Sequence, residues 1–123
     1  MRDLTKAEEQ IMQVLWSIEP AFVKDIIAEL PAPKPAYSTV STIIRILESK
    51  DFVGHEDFGS TYRYHSLINK EAYSHFSMKK ILENYYDGSL KQMVSSFSKS
   101  EKLSLKEMDE LLNVLKNLKN EQL

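Results

Sequence analysis

The sequence predicts a mainly α-helical chain with a small β-hairpin, in the order of a winged helix-turn-helix followed by a helical dimerisation region. Three segments with apolar residues at helical spacing come first, two strand-like runs around a glycine follow directly, and the rest of the chain returns to helical spacing. Three helices followed at once by a hairpin is the winged helix-turn-helix order. We therefore predict a winged-helix domain at residues 1–69 and a helical dimerisation domain at residues 70–123.

The first helix is predicted to begin at Thr5, because Thr5-Lys6-Ala7-Glu8 has the capping-box pattern. Its inward stripe is predicted from helical spacing and comprises Ala7, Ile11, Val14, Leu15 and Ile18. Pro20 ends this helix. A second, short helix is predicted at residues 23–30 and ends at the proline-rich run of residues 31–35.

The third helix, from Ser38 onward, separates into two faces. Its inward face is apolar and comprises Val40, Ile43, Ile44 and Leu47. Its outward face carries short hydroxyl side chains and one guanidinium: Ser38, Thr39, Ser41, Thr42 and Arg45. Small hydroxyls can bond to phosphates and base edges, and arginine can bind guanine with two hydrogen bonds, so this face is a candidate for the major groove. A solvated helix surface is the alternative.

A β-hairpin is predicted from the runs at residues 52–56 and 62–66, with Gly59 in the turn between them. Ser60 and Thr61 at its tip are candidate phosphate contacts. Arg63 on the second strand is equally compatible with a phosphate contact and with a surface pair to a neighbouring carboxylate of residues 56–57. By default Lys34 and Lys50 are surface lysines that could touch the DNA backbone.

Helical spacing resumes after Asn69, a candidate helix cap, and continues to Asp87-Gly88. A short segment at residues 89–97 follows, and a second capping-box pattern, Ser104-Leu105-Lys106-Glu107, begins the last helix. That helix carries a leucine-rich stripe made of Leu105, Met108, Leu111, Leu112, Leu115 and Leu118. No other part of the chain remains to cover this stripe, so we expect a homodimer, although closure over the preceding two helices is an alternative.

Composition narrows the function classes. The 123-residue chain has a formal net charge of −2 and no cysteine. Residues 1–70 contain 8 Lys and Arg against 10 Asp and Glu. This balance argues against polyanion binding over the whole surface, and DNA binding requires the positive charges to lie on one face. Without cysteine there is neither a disulfide framework nor a thiolate metal site. The three histidines lack the close pairing of common metal sites, so no metal or cofactor is predicted.

No apolar run approaches the ~20 residues that a membrane span needs, and residues 1–5 lack a signal-segment pattern. A cytoplasmic protein with no direct membrane insertion is therefore expected.

Together, these patterns resemble the BlaI/MecI/CopY family of bacterial repressors, which control penicillinase, methicillin-resistance and copper-homeostasis genes. The resemblance covers nearly the whole chain. Its clearest motifs are Leu4-Thr5-x-Ala7-Glu8-x-x-Ile11-Met12-x-x-Leu15-Trp16, Tyr37-Ser38-Thr39-Val40-Ser41-Thr42-Ile43-Ile44, and Gly59-Ser60-Thr61-Tyr62-Arg63-Tyr64.

The resemblance implies a dimeric repressor that binds a pseudo-palindromic operator in double-stranded DNA. It also implies release when a membrane-bound sensor-protease triggers cleavage of the repressor. Penicillinase-type relatives are cut in an Asn-Phe pair, and the matching positions here are Ser96 and Phe97, where only the phenylalanine is kept. Relatives often carry arginine at the position of Ile46, whereas this chain has it at Arg45. The missing cysteines remove the copper-sensing mode of other relatives.

A winged-helix module that binds another protein, with the third helix only as scaffold, is the rival hypothesis, and the acidic balance favours it. An enzyme is the weakest hypothesis. The sequence contains no glycine-rich phosphate loop, no paired histidine site and no convincing nucleophile motif.

Overall fold

The computed structural model describes residues 1–123, which divide into two compact units, Met1–Met78 and Lys79–Leu123. The elements, in chain order, are α1 (Lys6–Ile18), α2 (Val23–Glu29), α3 (Tyr37–Ser49), β1 (Val53–Phe58), β2 (Thr61–Ser66), α4 (Lys70–Tyr86), α5 (Leu90–Glu101) and α6 (Leu105–Glu121). The predicted fold class is confirmed: a winged helix-turn-helix is followed by further helices. No helix is both long and apolar enough to span a bilayer.

The first unit has a closed apolar core. Its most deeply buried large side chains come from α1, α2, α3 and the start of the hairpin: Met12, Leu15, Ile26, Val40, Ile44, Leu47, Phe52 and Val53. The predicted inward face of α3 packs into this core, with Ile43 only partly buried. The hydroxyl face of the same helix is thereby turned outward, as its spacing predicts.

The stripe of α1 differs from the prediction at its first turn. Ala7 is exposed and Glu8 is buried. The reason is the capping box itself, in which the Glu8 carboxylate accepts from the Thr5 amide at 2.8 Å and the Thr5 hydroxyl accepts from the Glu8 amide at 3.2 Å. The carboxylate thus points back along the helix toward the ammonium of Lys50.

The hairpin pairs β1 with β2 antiparallel, with Phe58 opposite Thr61, so that Gly59 and Ser60 form a two-residue turn. Gly59 has φ +63°, a conformation that favours glycine at the first turn position. An isolated bridge joins Ala21 to Tyr64, with both backbone hydrogen bonds formed, at 2.7 and 2.9 Å. This bridge anchors the wing to the segment between α1 and α2.

Asn69 caps α4, since its side-chain oxygen accepts from the Ala72 amide at 2.8 Å. The first turns of α4 belong to the first unit, where Tyr73 joins the core. Its hydroxyl accepts a hydrogen bond from the Leu4 amide, just before α1. The compact unit therefore continues past residue 69. Confinement of dimerisation to residues 70–123 stays a prediction.

In the second unit, α5 begins at a Ser89 cap and runs to Glu101, four residues beyond the predicted segment. No glycine or proline interrupts residues 98–101, and the helix ends where Lys102 turns left-handed at φ 51°. At the start of α6, the Ser104 hydroxyl accepts from the Glu107 amide. Neither α5 nor α6 has a buried residue.

Candidate DNA-binding surface

The outward face of α3 presents the predicted side chains to solvent. Ser38, Thr39, Thr42 and Arg45 are exposed, and Ser41 is half-buried. The Thr42 hydroxyl donates to the Ser38 carbonyl at 2.8 Å, so it is partly engaged within the helix. The hydroxyls of Ser38, Thr39 and Ser41 make no bond within the chain and are free to bind a ligand.

Residues at the tip of the wing are also exposed. Ser60 lies in the turn, and Thr61 follows it with its hydroxyl donating to the Phe58 carbonyl at 3.1 Å. A hydroxyl retains acceptor capacity after donating one hydrogen bond. Both side chains can therefore contact a polar partner without breaking the hairpin.

Most of the candidate positive charges are engaged inside the chain. Lys34 donates to the carbonyls of Ala28 and Leu30 at 2.7 and 2.6 Å, which caps the carboxy-terminal end of α2. Arg63 lies opposite Glu56 in the hairpin and pairs with its carboxylate at 3.3 Å. Its guanidinium also lies 4.5 Å from the centre of the Phe58 ring. A surface pair is thus the observed state of Arg63, and its DNA contact stays a prediction.

Lys50 forms an ion pair that ties the end of α3 to the start of α1. Its ammonium lies 2.8 and 2.9 Å from the two oxygens of Glu8, whose side chain is only 4% exposed. Burial acts to raise the pKa of Glu8, but the hydrogen bonds from Lys50 and Thr5 outweigh it and hold the pKa below its ordinary 4.5. Lys50 therefore fixes the position of α3 rather than projecting toward a ligand.

Arg45 differs from these cations, because it is exposed and pairs with no carboxylate. It lies at a groove of about 280 Å³ between α3 and the wing. The groove is lined by Val23, Tyr37, Ser41, Arg45, Ser60, Thr61, Tyr62 and Tyr64. The structure thus brings four of the predicted DNA-binding residues to one place.

Two tyrosines of this groove were missed by sequence reasoning. Tyr37 and Tyr62 are 57% and 47% exposed, which is high for aromatic rings beside a core. Alternation along the second strand was the available signal, since it places Tyr62 and Tyr64 on the same face. Tyr64 is buried, and burial together with the nearby charge of Glu48 raises its pKa, partly offset by Arg45.

The wing is linked to α3 through His55. Its Nδ1 atom is hydrogen-bonded to the carboxylate of Glu48 on α3, and its ring is stacked on Tyr62 with centroids 4.1 Å apart. Asp57 lies 3.7 Å from the other ring nitrogen. No group of three potential ligands is arranged to hold a metal ion. The histidine therefore connects helix and wing.

The leucine-rich stripe of α6 is exposed along its whole length, from 41% at Met108 to 80% at Leu105. The two candidate proteolysis residues, Ser96 and Phe97, lie in the interior of α5 and are both exposed. Nothing within residues 79–123 covers the stripe, and its role in dimerisation stays a prediction.

Comparison with known proteins gives a match to the family model described as penicillinase repressor over residues 4–117. The methicillin resistance regulatory protein MecI of Staphylococcus aureus (strain N315) is 27% identical over 114 residues, which cover 92% of this chain and 93% of that protein. The penicillinase repressor of Bacillus licheniformis is 27% identical over 118 residues, which cover 95% and 92%. Among solved structures, a MarR/EmrR family transcriptional regulator from Acinetobacter sp. ADP1 aligns with a TM-score of 0.46 and 19% identity, over 96% of this chain and 75% of that chain.

Proposed function

The chain belongs to the penicillinase repressor family, and on that premise we propose that it is a dimeric transcriptional repressor that binds a pseudo-palindromic operator. Its α3 enters the major groove and its wing contacts the flanking backbone. Such a protein acts in the cytoplasm, where the DNA is. Two of its relatives are named for methicillin resistance and penicillinase, so antibiotic-resistance genes are the first targets to test.

The observation that carries this proposal is the outward face of α3. Its free hydroxyls lie on a helix whose opposite face is fixed in a closed core, so the donors and acceptors are held in place before DNA arrives. Ala36 precedes the helix and cannot cap it with its side chain. The first amides of α3 are therefore available to an anion such as a DNA phosphate.

The proposed contacts divide into two groups. Ser38, Thr39, Ser41, Thr42 and Arg45 approach from α3, and Ser60, Thr61 and Arg63 approach from the wing. Of the candidate cations at this surface, Lys34, Lys50 and Arg63 are bonded within the chain, so Arg45 is ready to neutralise a phosphate, whereas Arg63 must first leave Glu56. We therefore expect a shallow salt dependence, since log K falls by about 0.9 per log unit of salt for each phosphate neutralised.

A second copy of the chain is the proposed partner of the α6 stripe. Two copies related by a two-fold axis would place two recognition helices on half-sites about 34 Å apart, which explains why a palindrome is expected. A dimer also makes twice as many DNA contacts as a single chain, which matters because each surface carries few free positive charges.

Relief of repression through a membrane-bound sensor-protease is part of the proposal. Cleavage between Ser96 and Phe97 would separate α6 from the DNA-binding unit and so uncouple the two copies. Both residues lie within a helix, so α5 must open locally before a protease can reach the peptide bond. Blotting cells with and without inducer tests this step, and an intact protein released from its promoter would reject it.

The proposal is tested with a duplex from the region upstream of the protein's own gene. We expect this duplex to be retained by the full-length protein far more strongly than a scrambled duplex of equal length and composition. Equal retention of both, or of neither, would contradict operator binding. The absence of any DNA binding would favour the rival, a winged-helix module that binds another protein.

A further inference from the structure

The groove between α3 and the wing contains several hydrogen-bond donors without a partner in the chain. The hydroxyls of Tyr37, Ser41, Ser60 and Tyr62 form no internal hydrogen bond, and the guanidinium of Arg45 pairs with no carboxylate. No acidic side chain lines the groove. Its only formal charge is therefore positive, which favours an anion.

The size of the groove limits which anion it can take. Its volume of about 280 Å³ lies just below the roughly 300 to 1,000 Å³ of pockets that hold small-molecule ligands. A groove of this size, open at a surface, fits a short stretch of sugar-phosphate backbone better than a drug-sized effector.

The ring of Tyr62 is held in position before any ligand binds. It stacks on His55 at an interplanar angle of 20°, and His55 is hydrogen-bonded to Glu48 on α3. The side chain therefore loses little rotamer freedom when its hydroxyl binds a ligand. Tyr37, in the first turn of α3, lies on the opposite element of the groove.

We propose that this groove binds one phosphate of the DNA backbone, with Arg45 as the charged ligand and Tyr37 and Tyr62 as hydroxyl ligands. The inference rests on the proposed function and makes it more specific. Arg45 here contributes affinity that is independent of sequence and does not read guanine. Selectivity then depends on the side chains of α3 that lie outside the groove, such as Ser38 and Thr39.

The test uses fluorescence anisotropy of the full-length protein on its own upstream duplex and on the scrambled duplex. Arg45→Ala is expected to weaken binding to both duplexes by the same factor, about tenfold, because one charge-assisted contact is lost. The salt slope should fall by about 0.9 for each phosphate released. Tyr37→Phe and Tyr62→Phe should each weaken both duplexes about threefold and leave the slope unchanged.

A duplex series with single neutral methylphosphonates locates the phosphate. One position in each half-site should weaken binding of the unsubstituted protein and have no further effect on Arg45→Ala. Lys6→Ala removes the same charge from an exposed site on α1 outside the groove, and its methylphosphonate profile should match that of the unsubstituted protein.

Loss of affinity for the upstream duplex alone in Arg45→Ala would overturn the inference and leave the proposed function standing. A methylphosphonate profile unchanged by Arg45→Ala would also overturn it. If the unsubstituted protein binds both duplexes equally, operator binding fails, whereas the groove can still be tested on either duplex. If no DNA is bound, both proposals fall.

Discussion

The two units of this chain differ in whether their large apolar side chains are buried. Every buried apolar side chain lies in Met1–Met78, whereas Lys79–Leu123 buries none and exposes most of its large apolar residues. Isolated helices of 12 to 17 residues are marginal in water, so α5 and α6 need further packing to be stable. The first unit has its own buried core, whereas the second leaves most of its large apolar side chains uncovered within one chain.

Placing a charge in the leucine-rich stripe of α6 is the most direct test of this difference between the units. If the stripe is the interface of the proposed dimer, Leu112→Glu should convert the full-length protein to monomer, because burying a carboxylate in an apolar interface costs several kcal/mol. We expect association to weaken more than about a hundredfold in sedimentation equilibrium. Thermal unfolding of the first unit should remain unchanged.

Asn113→Glu is the matched control, since it adds the same charge at the neighbouring position outside the stripe. This variant should dimerise normally. Equal association of the two variants would show that the stripe is not the interface.

A pair of identical substitutions sharpens the contrast between the units. Leu47→Ala removes a fully buried side chain and should destabilise the first unit by roughly 2 to 5 kcal/mol at every protein concentration. Leu115→Ala removes a side chain that is 59% exposed in the single chain. Its effect should appear in the dimer dissociation constant instead. Denaturant unfolding at several concentrations measures both, and a concentration-independent loss in Leu115→Ala would contradict the contrast.

The sequence predicted the positions of the apolar side chains better than those of the polar side chains. Helical spacing identified the inward face of α3 and the stripe of α6, because periodicity depends only on residue type and position. It misplaced Ala7, because Glu8 takes the buried position in that turn. The capping-box pattern is visible in the sequence, but the ion pair that compensates the buried carboxylate comes from Lys50, 42 residues away in the chain. The groove tyrosines were missed for a similar reason: their exposure depends on how the wing docks on α3.

Removing the Glu8 charge tests the ion pair between Glu8 and Lys50 in the first unit. Glu8→Gln leaves Lys50 without its ion-pair partner and should destabilise this unit by about 2 kcal/mol. The roughly 3 to 5 kcal/mol typical of broken buried pairs is reduced because the Lys50 side chain keeps 16% exposure to water. Glu9→Gln, at the exposed neighbour in the same helical turn, should have little effect.

The same pair predicts an acid dependence. Folding lowers the pKa of Glu8, so its stabilisation is present above the ordinary 4.5 and is lost as the pH falls through the lower, native pKa. The stability of Glu8→Gln should therefore decline less steeply in this acid range than that of the unsubstituted protein. Equal slopes in urea unfolding between neutral and acid pH would show that the pair does not contribute.

The smallest expected effects come from the two helix caps, one in each unit. Thr5→Ala removes the side-chain half of the α1 capping box, and Ser104→Ala removes the bond from the Glu107 amide at the start of α6. Each loss should cost about 1 kcal/mol of helix stability. In the first unit this cost appears as a lower unfolding free energy at any concentration. In the proposed dimer α6 would be stabilised through association, so Ser104→Ala should raise the dimer dissociation constant while the first unit melts normally. A shift of the first unit's melting in Ser104→Ala would mean that α6 stabilises the core directly, and the two units would then no longer be independent.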